Sequence, residues 1–376
     1  MKKIKRLLAF ILAATLSFFV FLPSGQKNTT EAKSYTAYEN AVSCSVNAAG
    51  EEVKISSRLL ELLFGKEKEG APEGKILLIT GGGVFGAKIK QNYVSISDPG
   101  ECSALKVGDK IISADGKSIS CGADLERIVQ RRQGKEVSLV CKRGDKEVSV
   151  SITPKLVDGQ YKLGLVLKDG AAGLGTITYI DPETGFFGGL GHGICDTDTG
   201  ELIDMSKGEV TGVIIGGIKK GEAGKPGEIS GILTNKLNGV LYANTECGVF
   251  GKLDKIPKEL NTVAVQMGKK EEVHTGEATI ISTVKTGLTK EYKIEITEIS
   301  NTASATKSFK IKVTDPTLLA MTGGVVRGMS GSPILQDGKL IGAVTHVMVA
   351  DPTEGYGIFI ENMLSAAHSQ IQPKAA

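Results

Sequence analysis

The stretch GMSGSPILQDGKLIGAV, residues 328–344, decides the fold of the second half of this chain. Glycines at 328 and 331 flank Ser330 and permit a sharply turned backbone. A strand, a turn at Asp337 and Gly338, and a second strand follow. Such a turn exposes a serine hydroxyl and directs the backbone N–H groups of Gly328 and Ser330 towards a developing oxyanion. The stretch therefore predicts a serine nucleophile in front of a β-hairpin.

The order of these features resembles that of chymotrypsin-like proteases. In those enzymes the nucleophile loop precedes a strand, a hairpin and a strand that contains Gly-x-Val, as residues 342–344 do here. The six residues 328–333 alone also suit a glycine-rich surface turn. The hairpin behind them favours the nucleophile.

A serine nucleophile needs a general base, and four histidines are available: His192, His274, His346 and His368. His192 lies in GGLGHGI, residues 188–194, where small neighbours let an imidazole face a cleft. It precedes Ser330 by 138 residues, which leaves room for a separate barrel. His346 follows Ser330 by 16 residues and competes for the role. On the resemblance above, His346 and Thr345 are instead predicted to line the substrate pocket.

The third group is expected to be a carboxylate that orients the imidazole. Asp315 ends an alternating strand and precedes Ser330 by 15 residues. The sequence favours Asp315 narrowly over the alternatives, which are Asp196, Asp198, Asp204 and Asp254.

Residues 163–370 contain many short strand patterns and no long helical pattern, which predicts a β domain of two small barrels. Residues 73–154 differ, with strands, a short helix, a strand, a longer helix and a closing hairpin. The segments DPG (98–100), ALKVGDKII (104–112) and DGK (115–117) resemble a PDZ domain. The predicted fold class is therefore mainly β, with a PDZ domain followed by a chymotrypsin-like double β-barrel.

PDZ domains bind a peptide as an added strand. The predicted groove lies between a strand at 84–89 and a helix at 123–132, and its lining is Val84, Phe85, Gly86, Leu125 and Ile128. Its occupant is either another part of this chain or an external partner.

The N-terminus predicts export. Four basic residues precede an uncharged apolar run of sixteen residues, 7–22. Residues 1–32 are thus expected to form a signal peptide or a membrane anchor, and residues 33–72 an extracytoplasmic stalk. The formal net charge of +3 gives no indication of nucleic-acid binding. Six cysteines without C-x-x-C spacing give no indication of a zinc site, and no cofactor is expected.

Taken together, the motifs resemble the stage IV sporulation protein B (SpoIVB) peptidase family. They are LGL (163–165), GLGT (173–176), DPETG (181–185), LGHGI (190–194), GMSGSPI (328–334) and GAVTHV (342–347). The resemblance implies a serine endopeptidase with the triad His192, Asp315 and Ser330. It further implies secretion into the space between the forespore and mother-cell membranes. There the enzyme would cleave itself and a membrane-bound regulatory protein, so that an intramembrane protease activates the late mother-cell sigma factor. The PDZ domain would serve self-recognition and substrate delivery.

Two features depart from digestive serine proteases. The spacing between Asp315 and Ser330 is much shorter, and Met329 stands where an aspartate often precedes the nucleophile. Activation by a new N-terminus pairing with that aspartate is therefore excluded. Two other functions compete: an exported PDZ adaptor with a non-catalytic β domain, and a general exported protease.

Overall fold

The structure is a computed structural model that describes residues 41–46, 52–56, 76–257, 264–300 and 304–370. The predicted signal or anchor at 1–32 lies outside these residues. Inside the predicted stalk, β1 (Ala41–Val46) pairs antiparallel with β2 (Glu52–Ser56). No helix among the described residues has the length and apolar character needed to cross a membrane.

The chain is mainly β, which confirms the predicted class. In the described part of the chain the strands after β2 are β3 (Leu77–Thr80), β4 (Val84–Asp98), β5 (Lys110–Ala114), β6 (Lys117–Ser118), β7 (Val137–Arg143), β8 (Lys146–Ile152), β9 (Lys155–Val157), β10 (Gln160–Lys162), β11 (Val166–Ile180), β12 (Phe186–Gly189), β13 (Met205–Lys219), β14 (Glu228–Thr245), β15 (Gly248–Leu253), β16 (Ala264–Met267), β17 (Gly276–Lys285), β18 (Leu288–Ile299), β19 (Phe309–Val313), β20 (Pro333–Gln336), β21 (Lys339–Val347) and β22 (Glu354–Phe359). The helices are α1 (Gly122–Arg132), α2 (Pro316–Thr322) and α3 (Ile360–Ser369), with a 3-10 turn at Lys270–Glu272.

The described residues form two compact units. The small unit comprises Ile89–Ala172 and Cys195–Lys207. The barrel unit comprises Gly173–Ile194, the residues from Gly208 onward, and the segment that ends at Lys88. These divisions differ from the predicted domains 73–154 and 163–370. The small unit takes residues 195–207 from the middle of the predicted peptidase domain, and it lacks the first strands predicted for the PDZ domain.

The small unit has the PDZ elements that the sequence predicts, built around helix α1. Leu125, Ile128 and Val129 recur at helical spacing, and all three are buried in its core. Asp109 at the start of β5 is almost fully buried. Its carboxylate accepts two bonds of 2.6 Å from Arg143 and one of 2.8 Å from the Lys106 N–H. This pairing compensates the desolvated charge and fixes the turn that leads into β5.

The structure assigns the predicted strand of the peptide groove to the barrel unit. Val84, Phe85 and Gly86 belong to the barrel unit, because the first part of β4 completes a barrel there. Phe85 is 3% exposed and packs edge-to-face on Phe187 at 5.5 Å between ring centroids. In the small unit, the segment that runs beside α1 is Tyr161–Asp169. The Gln130 side chain bonds the Tyr161 backbone at 2.8 and 3.1 Å, and the Gly122 N–H donates to Asp169 at 3.3 Å.

The barrel unit contains two closed six-stranded barrels. In the first, the strand order is β4, β11, β12, β15, β14 and β13, and β13 returns to β4. In the second, the order is β17, β18, β19, β22, β21 and β20, and β20 pairs again with β17. Closure leaves neither barrel with an edge, and alternate residues of β18 and β19 fill the second core.

Candidate active site

The Ser330 loop, residues 326–332, connects α2 to β20 at the second barrel. Gly328 has φ +97° and Gly331 has φ +93°, a conformation that favours glycine. A Cβ at 331 would lie 2.1 Å from the Thr176 carbonyl oxygen of the first barrel. The loop therefore packs backbone against backbone on β11, where only glycine fits at position 331.

Two backbone N–H groups of this loop indicate where an oxyanion hole would form. The Met329, Gly331 and Ser332 N–H groups donate to Val326, Val344 and Met329 carbonyls at 3.1, 2.7 and 2.9 Å. Within the described residues, the N–H groups of Gly328 and Ser330 have no acceptor. These are the two donors that the sequence predicts for an oxyanion, and they remain available to one.

The Ser330 hydroxyl donates to the Thr345 carbonyl at 2.9 Å. The Thr345 side chain, predicted to line the substrate pocket, is buried with its methyl group facing Gly191 of the His192 loop. It is 2% exposed, and its hydroxyl donates to the Thr306 carbonyl at 2.8 Å. The Thr345 backbone carbonyl contacts Ser330, and the role of its side chain in the substrate pocket stays a prediction.

His192 lies at the end of a strained loop of the first barrel. Leu190, two residues before it, has φ +68°, an uncommon conformation for a residue with a Cβ. The loop meets the Ser330 loop and β21, since a Cβ on Gly191 would contact the Thr345 side chain at 2.9 Å. His192 Nδ1 lies 3.0 Å from the Gly193 carbonyl. A carbonyl only accepts, so Nδ1 carries the proton and Nε2 is left as the basic nitrogen.

Burial lowers the pKa of His192, and the bond to the Gly193 carbonyl raises it by a smaller amount. This lowered pKa favours the neutral imidazole that a general base needs.

His346 lies beside His192, with 5.1 Å between ring centroids. Burial first, then the neighbouring His192 and Lys307, lowers the pKa of His346 to about 4. Its Nδ1 is buried with no hydrogen-bond partner among the described residues. A neutral imidazole in this position is compatible with the predicted role as a wall of the substrate site.

In the structure the Asp315 carboxylate bonds to backbone groups of α2 and β18 rather than to His192, and its place in the triad stays a prediction. Asp315 is the N-cap of α2, and its carboxylate accepts from the Thr317, Leu318 and Lys293 N–H groups at 2.8, 3.0 and 3.3 Å. Burial alone would raise the pKa of Asp315, but these backbone bonds lower it overall. The helix that begins at Pro316, directly after Asp315, holds this carboxylate locally as its N-cap.

The alternative carboxylates lie in other surroundings. Asp196, Asp198 and Asp204 lie in the small unit, where Lys168 pairs with both Asp196 and Asp198. Asp254 follows β15 and is exposed. Within the described residues, the hydrogen-bond partner of His192 Nδ1 is therefore a backbone carbonyl.

Three side chains that support the site were missed by the sequence reasoning. Thr176 and Thr178 of β11 hold the Ser330 loop, with hydroxyl bonds of 2.8 Å to the Gly328 and Gly331 carbonyls. Asn244 of β14 holds the His192 loop through two bonds of 2.8 Å to Ile194. Thr176 ends the glycine-rich motif at 173–176 and Thr178 follows it, whereas Asn244 has no local signal in the sequence.

Two β-barrels that place a serine loop against a histidine loop define a serine peptidase. The SpoIVB peptidase S55 family model matches residues 159–364, and a PDZ domain model matches residues 64–153. The chain belongs to the SpoIVB peptidase S55 family.

Curated relatives match shorter parts of the chain. A putative zinc metalloprotease of Mesorhizobium japonicum is 32% identical over 81 residues, 22% of each chain. The serine protease HTRA1 of Xenopus tropicalis is 37% identical over 60 residues, 16% of this chain and 13% of that protein. The chain thus spans less than a quarter of the length of these two relatives.

Two solved structures are similar. The PDZ domain of the SdrC-like protein from Listeria monocytogenes has 22% identity and a TM-score of 0.19, covering 21% of this chain and 92% of that one. The inactive form of the Rv3671c protease has 11% identity and a TM-score of 0.30, covering 52% of this chain and 83% of that one.

Proposed function

We propose that this serine peptidase is an exported regulatory endopeptidase of sporulation, with Ser330 as nucleophile and His192 as general base. Its targets are itself and a membrane-bound regulatory protein, whose cleavage lets an intramembrane protease activate the late mother-cell sigma factor. Membership of the SpoIVB family supports the sporulation role. The observation that carries the catalytic assignment is the meeting of the two loops, with the Gly328 and Ser330 N–H groups unpaired beside the serine.

The geometry supports acyl transfer in two steps. The Ser330 hydroxyl turns from the Thr345 carbonyl towards His192 Nε2 and attacks the peptide carbonyl carbon, while its proton passes to the imidazole. The oxyanion that forms accepts from the Gly328 and Ser330 N–H groups. His192 then gives the proton to the leaving amine as the C–N bond breaks. Water, deprotonated by His192, hydrolyses the ester and restores Ser330.

The N-terminal sequence and the family support the proposed compartment and partners. Basic residues before an apolar run support export, which would bring the peptidase to the intermembrane space of the forespore. The PDZ unit supports self-recognition and delivery of substrate, because a PDZ fold binds extended peptides. No nucleic acid, metal or cofactor enters the proposed reaction.

Self-cleavage of the full chain tests the enzymatic claim. We expect the chain, tagged at both ends, to yield fragments over time, and Ser330→Ala to remain intact. Ser230→Ala, which changes an exposed serine on β14, is the matched control and should cleave normally. Fragments that persist in Ser330→Ala would show that another protease makes them. A chain that stays intact in every variant would favour the non-catalytic adaptor.

Replacement of the native gene by the Ser330→Ala form tests the biological role. We expect normal vegetative growth and no activity of the late mother-cell sigma factor during sporulation. A growth defect with normal sigma activity would favour the general exported protease.

A further inference from the structure

We propose that the hairpin tip, residues 219–229, where β13 turns into β14, orders the oxyanion hole by fixing the peptide group between Arg327 and Gly328. In digestive serine proteases a new N-terminus paired with an aspartate activates the enzyme, and Met329 excludes that pairing here. The inference rests on the proposed peptidase function and adds the element that positions one of its two oxyanion donors.

The hairpin tip binds Arg327 at both of its backbone groups. The Arg327 N–H donates to the Gly227 carbonyl at 2.9 Å, and the Ile229 N–H donates to the Arg327 carbonyl at 2.8 Å. Glu228, between these two partners, pairs with Arg327 as a parallel bridge. A segment of the first barrel therefore pairs with the Ser330 loop directly before Gly328, the first oxyanion donor.

This pairing sets the direction of the Gly328 N–H. The peptide bonds of the described residues are trans, so the Arg327 carbonyl and the Gly328 N–H point in opposite directions from one plane. Because the Arg327 carbonyl points to Ile229, the Gly328 N–H points away from the hairpin tip. It has no acceptor among the described residues. The hairpin tip thus keeps this donor available for a substrate oxyanion.

The second oxyanion donor, the Ser330 N–H, is fixed in another way. The carbonyl of its peptide group, from Met329, accepts from the Ser332 N–H at 2.9 Å, inside the Ser330 loop. The loop therefore orients the Ser330 donor by itself, whereas the Gly328 donor depends on a partner from the first barrel.

Close packing holds the hairpin tip against the Ser330 loop. Ile229 is 5% exposed and belongs to one buried apolar cluster with Val326 and Met329. A Cβ on Gly227 would lie 2.7 Å from Val326 Cγ1 and 2.4 Å from the Lys219 carbonyl oxygen. Position 227 therefore has no room for a side chain while the tip is in place.

Two further bonds attach the hairpin tip to the second barrel. The Gly221 N–H donates to the carbonyl of Thr322, the last residue of α2, at 2.8 Å. The Gly224 N–H donates to the carbonyl of Val349, shortly after β21, also at 2.8 Å. The hairpin tip is thus bonded to residues before and after the Ser330 loop as well as to the loop itself.

Two variants of the full chain test the proposal, with a peptide substrate that the wild type cuts. Gly227→Ala introduces the two clashes, so the hairpin tip has to move away from Arg327. We expect kcat to fall about 100-fold with KM little changed, as for loss of one oxyanion donor. Replacing Ile229 by its α-hydroxy acid turns one N–H into an ester oxygen and removes the bond to the Arg327 carbonyl. We expect this ester variant to lose about 10-fold in kcat, as for one hydrogen bond.

Gly217→Ala is the matched control. It is the same change on β13 of the same hairpin, where no atom lies within 4 Å of the added Cβ. We expect wild-type kcat for this control, and melting temperatures will show whether each variant folds.

A peptide aldehyde with the sequence of the substrate separates positioning of the oxyanion hole from general damage. The Ser330 oxygen adds to the aldehyde carbon, its proton passes to His192, and the former carbonyl oxygen becomes an oxyanion in the hole. In both variants the affinity for this aldehyde should fall in parallel with kcat. A lower kcat with unchanged aldehyde affinity would overturn the proposal.

A further measurement does not depend on turnover. In the Ser330→Ala chain, NMR should show slow hydrogen exchange of the Arg327 amide, and Gly227→Ala should make this exchange faster. Wild-type kcat in Gly227→Ala with a fast-exchanging Arg327 amide, or wild-type kcat in the ester variant, would contradict the role of the hairpin tip. If the wild type cuts no peptide, the proposed function fails, while the exchange of the Arg327 amide still decides whether the tip holds this peptide group.

Discussion

The Ser330 loop and the His192 loop are both rich in glycine and each presents one reactive side chain, yet different interactions fix them. The Ser330 loop is held by its own barrel and by β11, through backbone groups and two threonine hydroxyls. The His192 loop is held by one carboxamide on β14, by the Glu246 carbonyl in the next turn, and by the Thr176 carbonyl of β11, which accepts from the Leu190 N–H. The nucleophile is thus fixed by many small contacts, and the base by a few.

This difference indicates which positions of the two loops tolerate substitution. A loop held by backbone contacts is sensitive at its glycines, where any Cβ would clash. A loop held by one side chain is sensitive at that side chain. The predictions below separate these two kinds of support, and they are ordered by the size of the expected effect.

The largest effect is expected when the base itself is removed. His192→Ala should lower kcat by about 10⁵-fold or more, as loss of a triad histidine does. His346→Ala should reduce kcat/KM far less, because His346 lies beside the base and has no part in proton transfer. Turnover of a peptide substrate measures both. Abolished turnover in His346→Ala with His192 dispensable would reverse the assignment.

The next effect concerns the Ser330 loop. Gly331→Ala places a Cβ 2.1 Å from the Thr176 carbonyl at φ +93°, and we expect it to destabilise the barrel unit by more than about 3 kcal/mol. Gly338→Ala is the control, because φ is +73° there but no atom lies within 4 Å. Gly338→Ala should lower the free energy of unfolding by only about 1 kcal/mol. Thermal unfolding compares the two variants. Equal losses of stability would show that the close approach of the Ser330 loop to β11 does not contribute to the cost of a Cβ at position 331.

These glycines also show what the sequence could predict. Ser330, its two N–H donors and the hairpin behind it form one short segment, so local turn chemistry was sufficient to find them. The two barrels followed from many short strands. Asn244 could not be found this way, because it acts only after β14 and the His192 loop come together across fifty residues.

Two differences between the predicted and the observed surroundings have the same physical origin. Val84, Phe85 and Gly86 have a sequence suited to a PDZ strand, but the barrel needs a sixth strand, and β4 supplies it. Asp315 ends an alternating strand shortly before Ser330, but a proline follows it and a helix begins, so its carboxylate caps that helix. In both cases a tertiary requirement that is absent from the local pattern decided the outcome.

A pH effect on stability is expected from His346. Its pKa is lowered from 6.5 to about 4 on folding, so the unfolded chain takes up this proton first as the pH falls. The contribution is fully present above about pH 6.5 and is lost progressively towards about pH 4. Melting temperature against pH should therefore fall more steeply for the wild type than for His346→Gln. Parallel curves would contradict the burial of a neutral His346.

The smallest effect is expected at Asp315. Asp315→Asn keeps an oxygen that accepts from the first turn of α2, so stability and turnover should both stay near wild type. Asp315→Ala should cost about 1 kcal/mol of stability through the lost cap. Thermal unfolding and kcat of the two variants measure this. Lost turnover in a fully stable Asp315→Asn would mean that this carboxylate reaches His192 during catalysis.

The central claim is that Ser330 is a nucleophile activated by His192, and covalent labelling tests it most directly. A fluorophosphonate probe reacts with an activated serine hydroxyl, and peptide mass spectrometry locates the modified residue. We expect a single label on Ser330 in the wild type and none in His192→Ala, with both proteins folded. A label on another serine, or undiminished labelling of Ser330 without His192, would contradict the account.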